Sequence, residues 1–123
     1  MQRIKKGRIL HGATLHNGVV YTSGLTADDL EAGMAGQTKQ ICDKFDALLA
    51  DSGTDKFKII RAEIYVTDLS KKGEIDAVWL EWLGEDLPCR CTVGVSSLGD
   101  PRTMIEIMLA AASSTPSSSI SNG

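Results

Sequence analysis

Residues 87–112 read LPCRCTVGVSSLGDPRTMIEIMLAAA, and the fold turns on how this stretch is parsed. It consists of two apolar, β-branched runs around the turn Leu98-Gly99-Asp100-Pro101-Arg102. Gly permits positive φ, Pro fixes φ, and Asp hydrogen-bonds its own backbone, so the cluster punctuates two strands. Strand side chains alternate faces. Arg90 therefore shares a face with Thr92, Gly94 and Ser96, and Cys91, Val93 and Val95 take the other. In the second run Glu106 goes with Met104 and Met108, while Ile105, Ile107 and Leu109 take the opposite face. Each run thus carries one internal charge, Arg90 or Glu106. An unpaired buried charge is costly, so two readings stand side by side. The pair is structural or solvated, or it belongs to a site in which the planar arginine fork grips a carboxylate and the glutamate handles a water.

Working toward the N-terminus, residues 70–83 show Ile75, Val78, Trp79, Trp82 and Leu83 at helical spacing, with Gly84 as a stop. The two tryptophans read as core anchors rather than a base-stacking platform. Residues 58–67 alternate as a strand. Ile60, Ala62, Ile64 and Val66 are expected in the core, with Ile59, Arg61, Glu63 and Tyr65 on a half-polar face. Residues 36–52 carry Ile41, Phe45, Leu48 and Leu49 on one stripe, and Gly53 supplies the left-handed position that ends helices. Residues 26–36, with Asp28-Asp29, read as a loop whose aspartates make turns rather than ligate a metal. Arg8–Leu15 and Val19–Ser23 flank Asn17-Gly18, a strong hairpin signal. The basic start, Arg3, Lys5, Lys6 and Arg8, reads as a solvated, frayed end.

The element order is β-β-α-β-α-β-β, an α+β domain with a mixed sheet and both helices on one face. The domain spans residues 1–112, and residues 113–123 read as a Ser-rich disordered tail. The uncovered sheet face mixes Tyr65, Thr92, Gly94, Ser96 and methionines, which points to a homo-oligomer.

Composition bounds the function. The chain has 123 residues, 42% hydrophobic and 24% charged, with a net charge of −3. That balance opposes nucleic-acid binding through a basic field. No apolar run reaches the roughly 18 residues of a membrane span, and no signal-peptide core follows the basic start. Cys42, Cys89 and Cys91 form no CxxC pair, and His11 and His16 lack partners for a zinc site. Reduced thiols in a cytoplasmic protein, with no metal and no cofactor, are expected.

Several stretches together resemble the RidA/YjgF family. They are Thr22-Ser23-Gly24 after the hairpin, Tyr65-Val66-Thr67-Asp68-Leu69, Pro88-x-Arg90, and Ile105-Glu106-Ile107. Val20-Tyr21-Thr22-Ser23-Gly24 followed by Ala27-Asp28-Asp29 is similar to a divergent branch. The family includes 2-iminobutanoate/2-iminopropanoate deaminases and members under an older endoribonuclease label. The resemblance implies a six-stranded mixed sheet backed by two helices, a chorismate-mutase-like homotrimer, and sites in clefts between subunits. It implies that Arg90 grips a substrate carboxylate, that Glu106, with Thr92, positions the attacking water, and that Ser23 and Gly24 wall the pocket. Four positions depart from the family pattern. Ile9 or Leu10 stands where a tyrosine is common, Leu25 for glutamine, Thr92 for cysteine, and Asp76 for asparagine. Hydrolytic deamination of short 2-imino acids is the expected activity. A non-catalytic module binding small carboxylates is the alternative, and ribonuclease action is disfavoured by the acidic balance and the lack of a histidine pair.

Overall fold

The computed structural model describes residues 1–114. Six strands and two helices follow one another: β1 (Gln2–Lys6), β2 (His11–His16), β3 (Val19–Thr22), α1 (Met34–Asp51), β4 (Ile59–Val66), α2 (Lys72–Leu83), β5 (Cys89–Gly94) and β6 (Ile105–Ala112). They form one sheet in the order β1-β2-β3-β6-β4-β5. Every pairing is antiparallel except β4–β5. This is the α+β mixed sheet with two helices that the patterning implies.

The hairpin forms as its turn chemistry demands. Asn17 and Gly18 have φ of 50° and 80°, the doubly positive geometry of a type I′ turn. β6 alternates strictly, with Ile105, Ile107, Leu109 and Ala111 buried. They meet Ile41, Phe45 and Leu49 of α1 and Ile75, Trp79 and Leu83 of α2 in a continuous core. α1 ends where expected, with Gly53 at φ 77°. The Thr54 hydroxyl then donates to Ala112 O at 2.5 Å, fastening the end of the helix to β6.

Four expectations need correction. Residues 2–6 are not frayed: they form β1, an edge strand whose exposed Arg3, Lys5 and Lys6 disguise it, since charged side chains are how edges avoid unwanted pairing. The first long strand begins at His11 rather than Arg8, because residues 7–10 turn the chain, closed by Gly7 N–H donating to Leu10 O. In β4, Ile59 is buried and Ile60 exposed, the reverse of simple alternation. The register shifts between Ile59 and Arg61, and a bulge there adds one residue and exchanges the faces. Finally, Thr92 and Gly94 stand beside Ile64 and Val66 in the parallel register, and those two are buried under the helices, so Thr92 and Gly94 lie on the covered face of the sheet rather than the open one.

The loop between β5 and β6 is held by a buried amide. Gln37 on α1, fully buried, donates through Nε2 to Ala32 O and Arg102 O and accepts from Met104 N–H at 2.9 Å. At the far end, Ser113 and Ser114 still donate backbone N–H to Gly18 O and Gly53 O, so the folded edge runs two residues past 112. The remainder of the Ser-rich tail lies outside the described residues.

Candidate functional site

Two constellations of chemistry-bearing residues lie on opposite faces of the sheet. In the parallel β4–β5 register Arg90 stands beside Ala62 and Thr92 beside Ile64. Ala62 and Ile64 are buried beneath the helices, so Arg90 and Thr92 point to the helix side. In the β4–β6 register Glu106 stands beside Tyr65 and Met108 beside Glu63, and these point to the uncovered side. One protomer therefore does not bring Arg90 and Glu106 together.

Arg90 lines a cleft of about 320 Å³ between α2 and the chain entering β5. One wall is charged (Lys72, Asp76, Arg90), and the rest is Trp79, Leu80, Leu87 and Pro88. The Arg90 side chain is 16% exposed. Its Nη2 donates a hydrogen bond to Asp76 Oδ1, and its guanidinium lies 5.6 Å from the Trp79 ring centroid, within cation–π range. Lys72, one helical turn before Asp76, donates to Asp76 Oδ2 at 2.7 Å. Burial pushes the Asp76 carboxyl upward, but the hydrogen bonds from Lys72 and Arg90 and their charges outweigh it and hold the group below its ordinary value. The asparagine-to-aspartate departure thus has a visible partner: the arginine itself.

The second constellation depends on how β3 ends. The Thr22 hydroxyl accepts the Leu109 N–H at 2.9 Å, taking the place of a ladder bond. Ser23 donates backbone N–H to Gly12 O and its hydroxyl to His11 O at 2.7 Å. The chain then returns to β6 at Leu25, which exchanges both backbone bonds with Ile107. Gly24 is left lying against the Glu106 carboxylate. A Cβ on Gly24 would sit 2.1 Å from Glu106 Oε2, so glycine is required for the glutamate to hold this position. Alongside, the Tyr65 hydroxyl donates to Glu63 Oε1 at 3.0 Å, a bond that raises the phenol pKa.

Of the remaining expected site residues, Leu25 packs against the core and Ile9 sits in the β1–β2 turn, 79% exposed. Lys72 escaped the sequence reading, and Trp79, Glu63 and Tyr65 were placed there on the core or the half-polar face rather than at a site. The Lys72/Asp76 spacing of four on a helix was the available signal for Lys72. Among the described residues no group of three or more His, Cys, Asp or Glu side chains could hold a metal ion, and no helix is long and apolar enough to cross a membrane.

A six-stranded mixed sheet with two helices on one face and a half-polar open face defines an α+β domain of the YjgF type. The chain belongs to this family: the Endoribonuclease L-PSP family model matches residues 4–113. A RutC family protein of Haemophilus influenzae is 31% identical over 113 residues, covering 90% of this chain and 97% of the relative. A solved member of the YjgF family from Neisseria meningitidis superposes with a TM-score of 0.86 at 26% identity, covering 94% of this chain and 96% of the other. A Pseudomonas aeruginosa structure gives 0.84 at 28% identity, covering 91% and 97%.

Proposed function

We propose that the protein is a hydrolytic deaminase of short 2-imino acids, acting as a homotrimer with its sites in clefts between subunits. The observation that carries the reading is the opposed placement of Arg90 and Glu106. Each is held by its own surroundings, and a second copy, docked by its open face, is what would join them. That face supports docking, since Tyr21 and Val93 stand 51% and 42% exposed on the same side of the sheet as Met108. In the joined cleft Arg90 grips the substrate carboxylate, and Glu106, with Thr92, orients a water against the imine carbon. The water oxygen bonds to that carbon, the carbon–nitrogen bond breaks, and nitrogen leaves as ammonia with the two water protons. A 2-keto acid remains. Positioning and a fixed cation supply the rate, with no redox step to require a cofactor. Three free thiols fit a reducing, cytoplasmic setting.

The test uses 2-aminoacrylate, generated from serine by a pyridoxal-phosphate dehydratase and trapped with semicarbazide. The protein should lower the semicarbazone signal, and Arg90→Ala should restore it by cutting activity about 10²-fold while staying folded. Full activity in Arg90→Ala overturns the clamp. A second reading, a non-catalytic module for small carboxylates, is favoured by one feature: Asp76 already engages the arginine. Ligand affinity without turnover would select it. The activity in the family model's name gains no support from the histidines, because His11 and His16 stand at opposite ends of β2 and, at odd spacing, on opposite faces.

A further inference from the structure

The charged wall of the Arg90 cleft is a row of three groups sharing one carboxylate. Asp76 accepts from Arg90 at one oxygen and from Lys72 at the other. Two cations against one anion leave the wall with a formal charge of +1. We infer that Asp76 is the specificity residue of this cleft, an internal carboxylate standing where the second carboxylate of a ligand would lie. The cleft then takes 2-imino and 2-keto acids with one carboxylate and an uncharged side chain, and rejects dicarboxylates. The inference rests on the reading of Arg90 as a carboxylate clamp.

The charge balance of the wall allows one ligand carboxylate. A guanidinium has five N–H donors, and Asp76 takes one of them, from Nη2. Donors remain for a ligand carboxylate to bind in the forked geometry that arginine favours. The Trp79 ring, 5.6 Å from the guanidinium carbon, adds a cation–π contact that leaves those donors free. A single ligand charge neutralises the wall. A second carboxylate would make it negative and would press against Asp76, which the hydrogen bonds from its two cationic neighbours keep ionised. Lys72, the other cation in reach, is held to Asp76 at 2.7 Å by one of its three N–H donors, so it would meet a second carboxylate only beside the Asp76 charge. Leu80, Leu87 and Pro88 in the lining offer a second carboxylate no side-chain donor and suit a short aliphatic side chain.

Isothermal titration of the intact protein with two stable probes, 2-oxobutanoate and 2-oxoglutarate, tests this without relying on turnover. Wild type should bind the monocarboxylate about tenfold more tightly than the dicarboxylate, the scale of one unit charge a few ångströms away at a part-exposed site. Asp76→Asn keeps the shape, frees Lys72, and should tighten 2-oxoglutarate about tenfold while moving 2-oxobutanoate much less. Asp76→Ala should relax the selectivity in the same direction, which guards against an effect peculiar to the amide. Arg90-dependent binding of 2-oxobutanoate with unchanged 2-oxoglutarate affinity in both Asp76 variants would overturn the inference and leave the clamp standing. Binding of neither probe, or binding indifferent to Arg90→Ala, would overturn the clamp and the inference with it.

Discussion

Gly24→Ala adds one methyl group to the protein, and nearly all of its effect should appear at Glu106. Gly24 is not among the glycines with positive φ, so alanine meets no backbone strain there. The new Cβ would meet Glu106 Oε2 at 2.1 Å, Cδ at 2.9 Å and Cγ at 3.1 Å. Ordinary contact begins near 3.4 Å, so the carboxylate must retreat by about 1.3 Å, the difference between 3.4 and 2.1 Å. Overpacking of this kind costs about 1–2 kcal/mol of stability, at the lower end because the yielding group is a half-buried side chain. If Glu106 positions the water as proposed, a displacement of that size costs about 10²-fold in rate. Semicarbazide trapping reads the rate and urea unfolding reads the stability. A double-mutant cycle isolates the cause. In a Glu106→Ala background the three clashing atoms are gone, so adding Gly24→Ala should change stability by less than about 0.5 kcal/mol. Two results would refute the reasoning: full deaminase activity in Gly24→Ala, or the same loss of stability with and without the glutamate.

Three further perturbations have defined outcomes. Asp76 titrates below its ordinary 3.8 in the folded state, so its ion pairs stabilise the fold above that pH, and the contribution is lost as pH falls through the lower folded value. Asp76→Asn should therefore flatten the acid limb of a thermal-unfolding profile below about pH 4; an unchanged limb counts against the pairing. Gln37→Leu would strip partners from Met104 N–H and from the carbonyls of Ala32 and Arg102. It should cost about 2–4 kcal/mol in urea unfolding, and a loss under about 1 kcal/mol would show that the latch is dispensable. Cys42 is buried and its thiol is pushed up to about 12 by desolvation, reinforced by Asp46 and Asp43. A thiol reagent at mildly alkaline pH should leave it unlabelled until the protein unfolds, whereas labelling as fast as exposed Cys89 would contradict its burial.

Much of the fold was legible because its signals are local. Asn17-Gly18 announces a hairpin by requiring two positive φ angles. The α1 stripe and the β6 alternation name their buried faces residue by residue. What was hidden is non-local or atypical. β1 carries the charges of a protected edge and so lacks apolar alternation. The bulge at Ile60 inserts a residue that a period of two cannot anticipate. The turn between β5 and β6 is good turn chemistry, but it does not say that β4 will lie between the strands. The same limit governs the site. Alternation shows that Arg90 goes with Thr92 and Glu106 with Met108. It does not show that the two pairs look out from opposite sides of the sheet, because that depends on register across β4. The Asp76 bridge to Arg90 joins a helix to an edge strand, and only their packing reveals it.

The position of β6 bears on how the protein is made. It is the last of the six strands in sequence, yet its ladder neighbours are β3 and β4, so the two halves of the sheet are strangers until it arrives. On a ribosome, the β1–β2–β3 meander and the α1–β4 segment can each begin to form, but their apolar faces have no common floor before residues 105–112 are released. Such distant pairing slows folding relative to a chain built from neighbouring contacts. Chains cut short before Ile105 should be the forms that chaperones hold and proteases remove, because they lack the strand that joins both halves.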